Sequence, residues 1–372
     1  MTQADVDLLE KILNATDSTA QFEVKYLGCY KNVYTSLFPL KGKMCVDYST
    51  AYDMAVIIGC LDQICGTRES QSKIDSYSEQ LYPGLKTHLK PLVNDGGKFD
   101  AEKLAAEGIK IVLGDCYDVP QTLEDQMKKL DPSCTVLHLT VNRVVDGMNY
   151  TNTIVTLASL MNKQAAVADY ITYVENVEAS IKDAISNSYA ANKTMLIVYN
   201  PSSANAIGID CLNTMKMQYT DISNALLLPF TCALPAVERY MGGMYNNLEA
   251  EYVATVNPEV IILETYNIAG SAASDDDKKA VVREKLSFIN VTNAYKNNKV
   301  ICMPFEVIGG AAGIATLQLI GNLAWGETYF PEADAWDAIN YYYQHFTNMG
   351  DSVDMRDVYG YAPVAYGKDQ LP

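Results

Sequence analysis

Unbroken apolar runs punctuate this chain: KMCVDYS at 43–49, IKIVLGD at 109–115, CTVLHLT at 134–140, KTMLIVYN at 193–200, PEVIILE at 258–264 and NKVICMPF at 298–305. Runs of β-branched residues and leucine with little polar alternation are expected of strands covered on both faces, the habit of parallel sheets flanked by helices. Helical segments alternate with them, so the pattern predicts an α/β fold built on central parallel sheets.

One helix–strand unit is written twice. GGKFDAEKLAAEGIKIVLGD (96–115) and NNLEAEYVATVNPEVIILE (246–264) align at an offset of 149 (251 − 102), which sets Leu104 on Val253, Ile111 on Val260, Val112 on Ile261 and Leu113 on Ile262. A turn-rich stretch precedes each, NDGGK at 94–98 and GGMYNN at 242–247. Internal duplication of this kind predicts two Rossmann-like lobes of similar plan. Between them, apolar residues at 154, 157, 160, 167, 171, 174, 177, 181 and 185 recur at mostly helical steps with no proline inside, predicting one long helix or two abutting ones as a stiff link. The expected organisation is an N-terminal lobe over 22–150, a linking helix over 151–187, a C-terminal lobe over 188–345 with two final helices parted at Pro331, and an irregular tail over 346–372.

Charge narrows the partners. Lys and Arg number 28 against 45 Asp and Glu, a net charge of −17, so a nucleic-acid backbone or an anionic membrane surface repels the chain as a whole. No run approaches the roughly 18–20 apolar residues of a membrane span. The opening MTQADVDLLEK lacks the basic-then-apolar pattern of a secretory signal, which leaves both a cytosolic chain and one whose targeting segment was removed open. Nine cysteines, at 29, 45, 60, 65, 116, 134, 211, 232 and 302, form no CxxC pair, and most are expected as core thiols rather than metal ligands.

Ligands collect at the carboxyl ends of parallel strands, and between two lobes those ends face each other across a cleft. Only five arginines exist, and Arg68, Arg143 and Arg239 fall in or beside the loops that follow the predicted strands. A guanidinium suits carboxylate, catecholate or propionate groups, although each arginine has pairing with a nearby surface acid as its alternative. Tyrosine is abundant at 26 residues; Tyr48, Tyr117, Tyr199 and Tyr266 lie at strand ends, and Phe305 opens the last loop. The run NYYYQHF reads instead as helix packing. Of three histidines only His138 is placed to reach the cleft as an axial ligand, with a satisfied structural role as its alternative; bare zinc or manganese is a poor fit to so few. EVIGGAAGIATLQL lacks GxGxxG spacing, and no GxSxG, P-loop or HExxH occurs, so no catalytic residues, resident metal or cofactor are assigned.

The layout resembles the class III substrate-binding proteins of ABC importers. MCVDYSTAYDMAVIIGCLDQICGTRES (44–70) is similar to that family's opening strand, helix and turn; FDAEKLAAEGIKIVLGD and LEAEYVATVNPEVIILE are similar to its glutamate, helix and strand segments; AYKNNKVICMPFEVIGG (294–310) is similar to its entry into the final strand. The likeness runs from about residue 22 to 345 as a pattern of segments, with Gly108–Ile109 standing where the first repeat would carry a Lys-Pro or Asn-Pro pair. It implies capture of a ferric siderophore, haem or cobalamin without chemistry, an extracytoplasmic monomer that is periplasmic or lipid-anchored at the outer face of the cell membrane, and delivery to an ABC permease dimer. It further implies that Glu102 and Glu251 dock into arginines of the two permease subunits; the alternative is a pair of first-turn acids favouring a helix dipole. A cytosolic two-lobed enzyme of metal-chelatase or nitrogenase-component type, kept open by Cys45, Cys116 and Cys302, is the competing class, and a two-lobed sensor that binds a receptor is a third.

Overall fold

The computed structural model describes residues 2–16, 18–47, 50–71, 84–114, 121–141, 150–188, 192–203, 206–210, 228, 230–232, 244–264, 275–303, 310–347 and 349–355. The chain divides into two compact units; the described residues of the first lie within Met1–Asp75 and Gly84–Ile171, those of the second within Thr172–Pro372.

In the first unit a helix, Gln3–Leu13, precedes an antiparallel hairpin of β1 (Phe22–Leu27) and β2 (Val33–Phe38). The sheet follows: β3 (Lys43–Val46), β4 (Ile64–Thr67), β5 (Lys90–Pro91), β6 (Ile109–Gly114) and β7 (Thr135–His138), in the order β5-β4-β3-β6-β7 with every pair parallel. Met44, Cys45, Val46, Ile111, Val112 and Leu113 are all fully buried, as double-sided cover requires. On one face the helices Ala101–Ala106 and Gln121–Leu130 supply Leu104, Leu123 and Met127 to a core shared with Ile109, Val112 and Val136.

The second unit repeats this plan and adds to it. Its strands are β8 (Lys193–Ser203), β9 (Ala206–Asp210), β10 (Phe230–Cys232), β11 (Met244–Leu248), β12 (Val260–Glu264) and β13 (Val300–Met303). The parallel set β10-β8-β12-β13 matches β4-β3-β6-β7 of the first unit, and β9 with β11 extends one edge antiparallel. The stretch 242–247, read from sequence as a turn, contributes all four of its described residues, 244–247, to β11. Asn246 and Asn247 fall where the β11–β9 register shifts between Tyr245 and Leu248, so two weak strand formers sit at an irregularity of an edge strand. NDGGK does turn: Asn94 Oδ1 accepts from the amides of Gly96 and Lys98, and Gly97 is left-handed at φ 69°.

Both copies of the duplicated unit end their helix the same way. Ala101–Ala106 is followed by Gly108 at φ 72°, and Ala250–Val256 by Asn257 at φ 51°. At the offset of 149 these are the same position. A left-handed residue there stops the helix and turns the chain into the strand, which Gly and Asn tolerate best.

The stretch 151–187 is two helices rather than one. Tyr150–Leu160 stops before Asn162, left-handed at φ 58°, and a 3-10 turn over Gln164–Val167 leads into Ala168–Ser188. Asn162 Nδ2 donates to the Ala15 carbonyl and Lys163 Nζ to that of Gly59, fixing the break. The first helix packs within the first unit through Ile154, Leu157 and Ala158, so only the 21-residue second helix, about 30 Å long, carries the chain onward. At the far end Gly313–Trp325 and Glu332–Phe346 are parted at Pro331, and Tyr342 and Tyr343 of NYYYQHF are buried.

Gly108 has no neighbour within 4 Å of a built Cβ, so its requirement is purely one of backbone conformation. Gly108→Ala is expected to lower the unfolding free energy by about 1–2 kcal/mol in urea melts, and Asn257→Gly to leave it equal or higher. A neutral Gly108→Ala contradicts the shared helix stop.

Candidate carboxyl-edge site

Where β3 ends, the next residue is Asp47, fully buried, its amide donating to the Leu113 carbonyl at 3.0 Å. Where the neighbouring β4 ends, the next residue is Arg68, whose amide donates to the Val46 carbonyl at 3.0 Å. Parallel pairing therefore brings the two side chains together at one sheet edge, and Arg68 Nε donates to Asp47 Oδ1. The Asp47 carboxylate is closed to water, whereas the arginine side chain keeps 21% of its surface. A buried carboxylate persists only with such a partner. Beside them Glu69 is also buried, receives the Tyr52 hydroxyl at 3.4 Å, and donates its amide to Thr67 Oγ1. Thr50 opens the helix Thr50–Ile58 and donates its hydroxyl to the Val141 carbonyl at 2.7 Å. The result is a polar cluster in which Arg68 is aimed by a fixed, buried carboxylate.

Of the arginines singled out by sequence, Arg68 is thus at the edge and paired with an acid that is buried rather than on the surface. Asp47 was not singled out. A charged residue placed directly after the buried Met44–Val46 run was the signal available for it.

His138, at the carboxyl end of β7, is held on several sides. Its amide donates to the Tyr26 hydroxyl at 2.9 Å, its Nε2 lies 2.9 Å from Glu124 Oε2, and its ring stacks on Tyr34 with centroids 4.4 Å apart and planes at 12°. The hairpin β1–β2 supplies both tyrosines, and the histidine ring fastens it to the sheet. Gly28 lets it approach: a Cβ there would meet the His138 carbonyl at 2.5 Å. Burial raises the Glu124 pKa, but hydrogen bonds from Lys128 and His138 outweigh it and hold the carboxyl below its ordinary value.

In the second unit Tyr199 of β8 stands opposite Glu264 of β12 and Gly208 of β9, at the carboxyl ends of the central parallel strands. Tyr48, Tyr117, Arg143, Arg239, Tyr266 and Phe305 lie outside the described residues. Glu102 and Glu251 are both exposed, each in the first turn of its helix. Asp100 caps the first helix by accepting the amides of Glu102 and Lys103, whereas Glu249 makes no side-chain cap on the second. Among the described residues neither Glu102 nor Glu251 has an ion-pair partner.

Cys45 and Cys302 are fully buried and burial pushes both thiols well up, while Cys60 and Cys134 are pushed up to about 12 by the same cause. Such thiols pack as core residues. Cys116 lies outside the described residues. Cys29 is disulfide-bonded. Among the described residues no group of three His, Cys, Asp or Glu is placed to hold a metal ion, and no helix is long and apolar enough to cross a membrane.

Two α/β units with parallel sheets, each with a duplicated helix–strand element, define a two-lobed binding-protein fold. The sequence profile of the periplasmic binding protein family matches residues 44–307, and the chain belongs to that family. No curated protein matches it in sequence. Among solved structures it is similar to Helicobacter pylori CeuE in a Ni-His complex, with 16% identity and TM-score 0.62 over 89% of this chain and 97% of that one. An ABC-type Fe3+-hydroxamate transport system from Saccharomonospora viridis shares 14% identity, TM-score 0.55, over 81% and 98%. The heme binding protein HmuT shares 14% identity, TM-score 0.51, over 85% and 93%.

Removing Asp47 leaves a guanidinium without its buried partner, so Asp47→Ala is expected to lower the unfolding free energy by about 3 kcal/mol, read from the urea midpoint. A change within experimental scatter contradicts the pairing. For Glu124, a folded pKa below the ordinary 4.5 means stability present above about pH 4.5 and lost as pH falls through the folded value. Glu124→Gln should flatten that acid limb in melts across pH while lowering neutral stability; an unchanged limb contradicts the assignment.

Proposed function

We propose that this protein captures an iron complex, siderophore or haem, or a corrinoid, at the carboxyl ends of its parallel strands and hands it intact to an ABC permease dimer. It acts as an extracytoplasmic monomer and performs no chemistry on its cargo. The observation that carries the reading is the duplicated element, which sets one exposed glutamate at the same position in each unit. Exposed acids at two equivalent places, without an ion-pair partner among the described residues, suit a receptor made of two like subunits, each offering arginines.

Family membership supports a transport role, and the nickel–histidine, ferric hydroxamate and haem proteins of like fold support a metal complex as cargo. Arg68 is the described cargo contact in this reading, aimed by Asp47, with the tyrosines and arginines of the neighbouring loops completing it. His138, engaged by Glu124 and Tyr34, supports the sheet edge instead. The disulfide at Cys29 fits an oxidising compartment outside the cytoplasm.

Titrating the protein with ferric hydroxamates, ferric catecholates, haem and cobalamin is expected to quench tyrosine and tryptophan fluorescence at micromolar concentration with one member of the panel. Quenching by none contradicts the cargo assignment. Charge reversal at Glu102 and Glu251 together should abolish uptake while leaving that affinity unchanged; a loss of affinity would move both residues from docking to cargo binding.

A further inference from the structure

The opposite edge of the second sheet carries a pocket of about 420 Å³, lined among others by Lys193, Asn257, Glu259, Asn293, Asn297 and Lys299. Lys193 begins β8, Asn257 and Glu259 precede β12, and Lys299 precedes β13, so the pocket lies at the amino ends of the central strands. Pro258, Val260, Ala294 and Ala324 give it an apolar floor. It is therefore separated by the length of the strands from Tyr199 and Glu264 at the carboxyl ends.

The duplication supplies a control. At the corresponding corner of the first unit, Lys43 Nζ donates to the Glu107 carbonyl at 3.1 Å, Lys90 binds the Glu107 carboxylate at 2.8 Å, and Lys110 binds Asp131 and Ser133. Carboxylates meet two of the three cations there, Lys90 and Lys110. In the second unit Lys193 is 3.0 Å from Glu259, whose other oxygen is occupied by the Thr194 amide at 2.9 Å. Lys299 donates to the Leu323 carbonyl, and among the described residues it has no carboxylate partner. Burial, and after it the charge of Lys193, press the Lys299 pKa down. Two ammonium groups and three carboxamides thus line one pocket against a single carboxylate, in a chain of net charge −17.

We propose that this amino-edge pocket binds a small organic acid, whose carboxylate sits between Lys193 and Lys299 while the three asparagines hydrogen-bond its polar substituents. An anion there relieves the repulsion between the two cations and gains charge-assisted hydrogen bonds. The volume exceeds that of a bare ion: a water molecule occupies about 30 Å³, which leaves room for a backbone of several carbons over the apolar floor. The ligand is independent of the transported cargo, since none of these residues lies at the carboxyl edge.

Isothermal titration of the full chain with malonate, beside phosphate and glycerol, tests this. Malonate should bind saturably and more weakly as salt rises, with phosphate weaker and glycerol silent. Lys193→Gln and the exposed Asn297→Ala should each weaken malonate about tenfold, whereas Glu259→Gln, which removes the competing carboxylate, should tighten it. Circular dichroism of each variant establishes that it folds, and Asn297→Ala leaves every ion pair of the pocket intact. Absence of malonate binding overturns the proposal. So do equal affinity for phosphate or glycerol, binding that no variant changes, and shifts of the same sign in Lys193→Gln and Glu259→Gln.

Discussion

Parallel strands buried on both faces have nowhere to keep a charged group except at their ends, and that constraint organises each unit. Val46, Leu113, Ile197 and Ile262 are shut off from water on both sides of their sheets. Polar chemistry is consequently exported to two rims. At the carboxyl rim of the first unit the fully buried Asp47 meets Arg68 one strand away, and at the amino rim Lys43, Lys90, Glu107, Lys110 and Asp131 tie the strand entries together. A guanidinium anchored through Nε to a buried carboxylate has lost much of its rotamer freedom, so the pair fixes where Arg68 lies at that rim.

The same constraint explains what was legible in the sequence. Continuous apolar runs located β3, β6, β7, β8, β12 and β13, because double-sided burial leaves a composition that little else produces. The duplication was readable too, down to the position where Gly108 and Asn257 both turn left-handed. The hairpin β1–β2 is not marked by such a run: its partly exposed strands, FEVKYL and VYTSLF, interleave apolar with polar residues, and it is held by the distant contacts of Tyr26 and Tyr34 with His138. Asn246 and Asn247 hid β11 for a similar reason, since turn-forming residues at an irregular edge look the same in sequence as a turn. The break at Asn162 depends on Ala15 and Gly59, which sequence periodicity cannot see.

For the site, residue type was a better guide than partner. Arg68 stands at the sheet edge as its place after a strand implied, yet the acid that aims it came from the neighbouring strand and only pairing order reveals it. His138 shows the converse, a histidine in a promising position whose ring nitrogen and face are already taken by Glu124 and Tyr34. The twin glutamates are simpler, because an exposed first-turn acid needs only the helix start to be placed. In the function proposed above, these separate features share one purpose, to hold a molecule at one rim and present two charges to a receptor, and membership of the periplasmic binding protein family supports that reading.

That purpose separates carriage from catalysis, and native mass spectrometry distinguishes them in one experiment. After incubation with a mixture of ferric siderophores, haem and cobalamin, the protein should carry a single guest in a one-to-one complex, and the guest released on denaturation should have the mass it had when added. A chain that retains no guest from the mixture, or one that returns a guest of altered mass, contradicts the account.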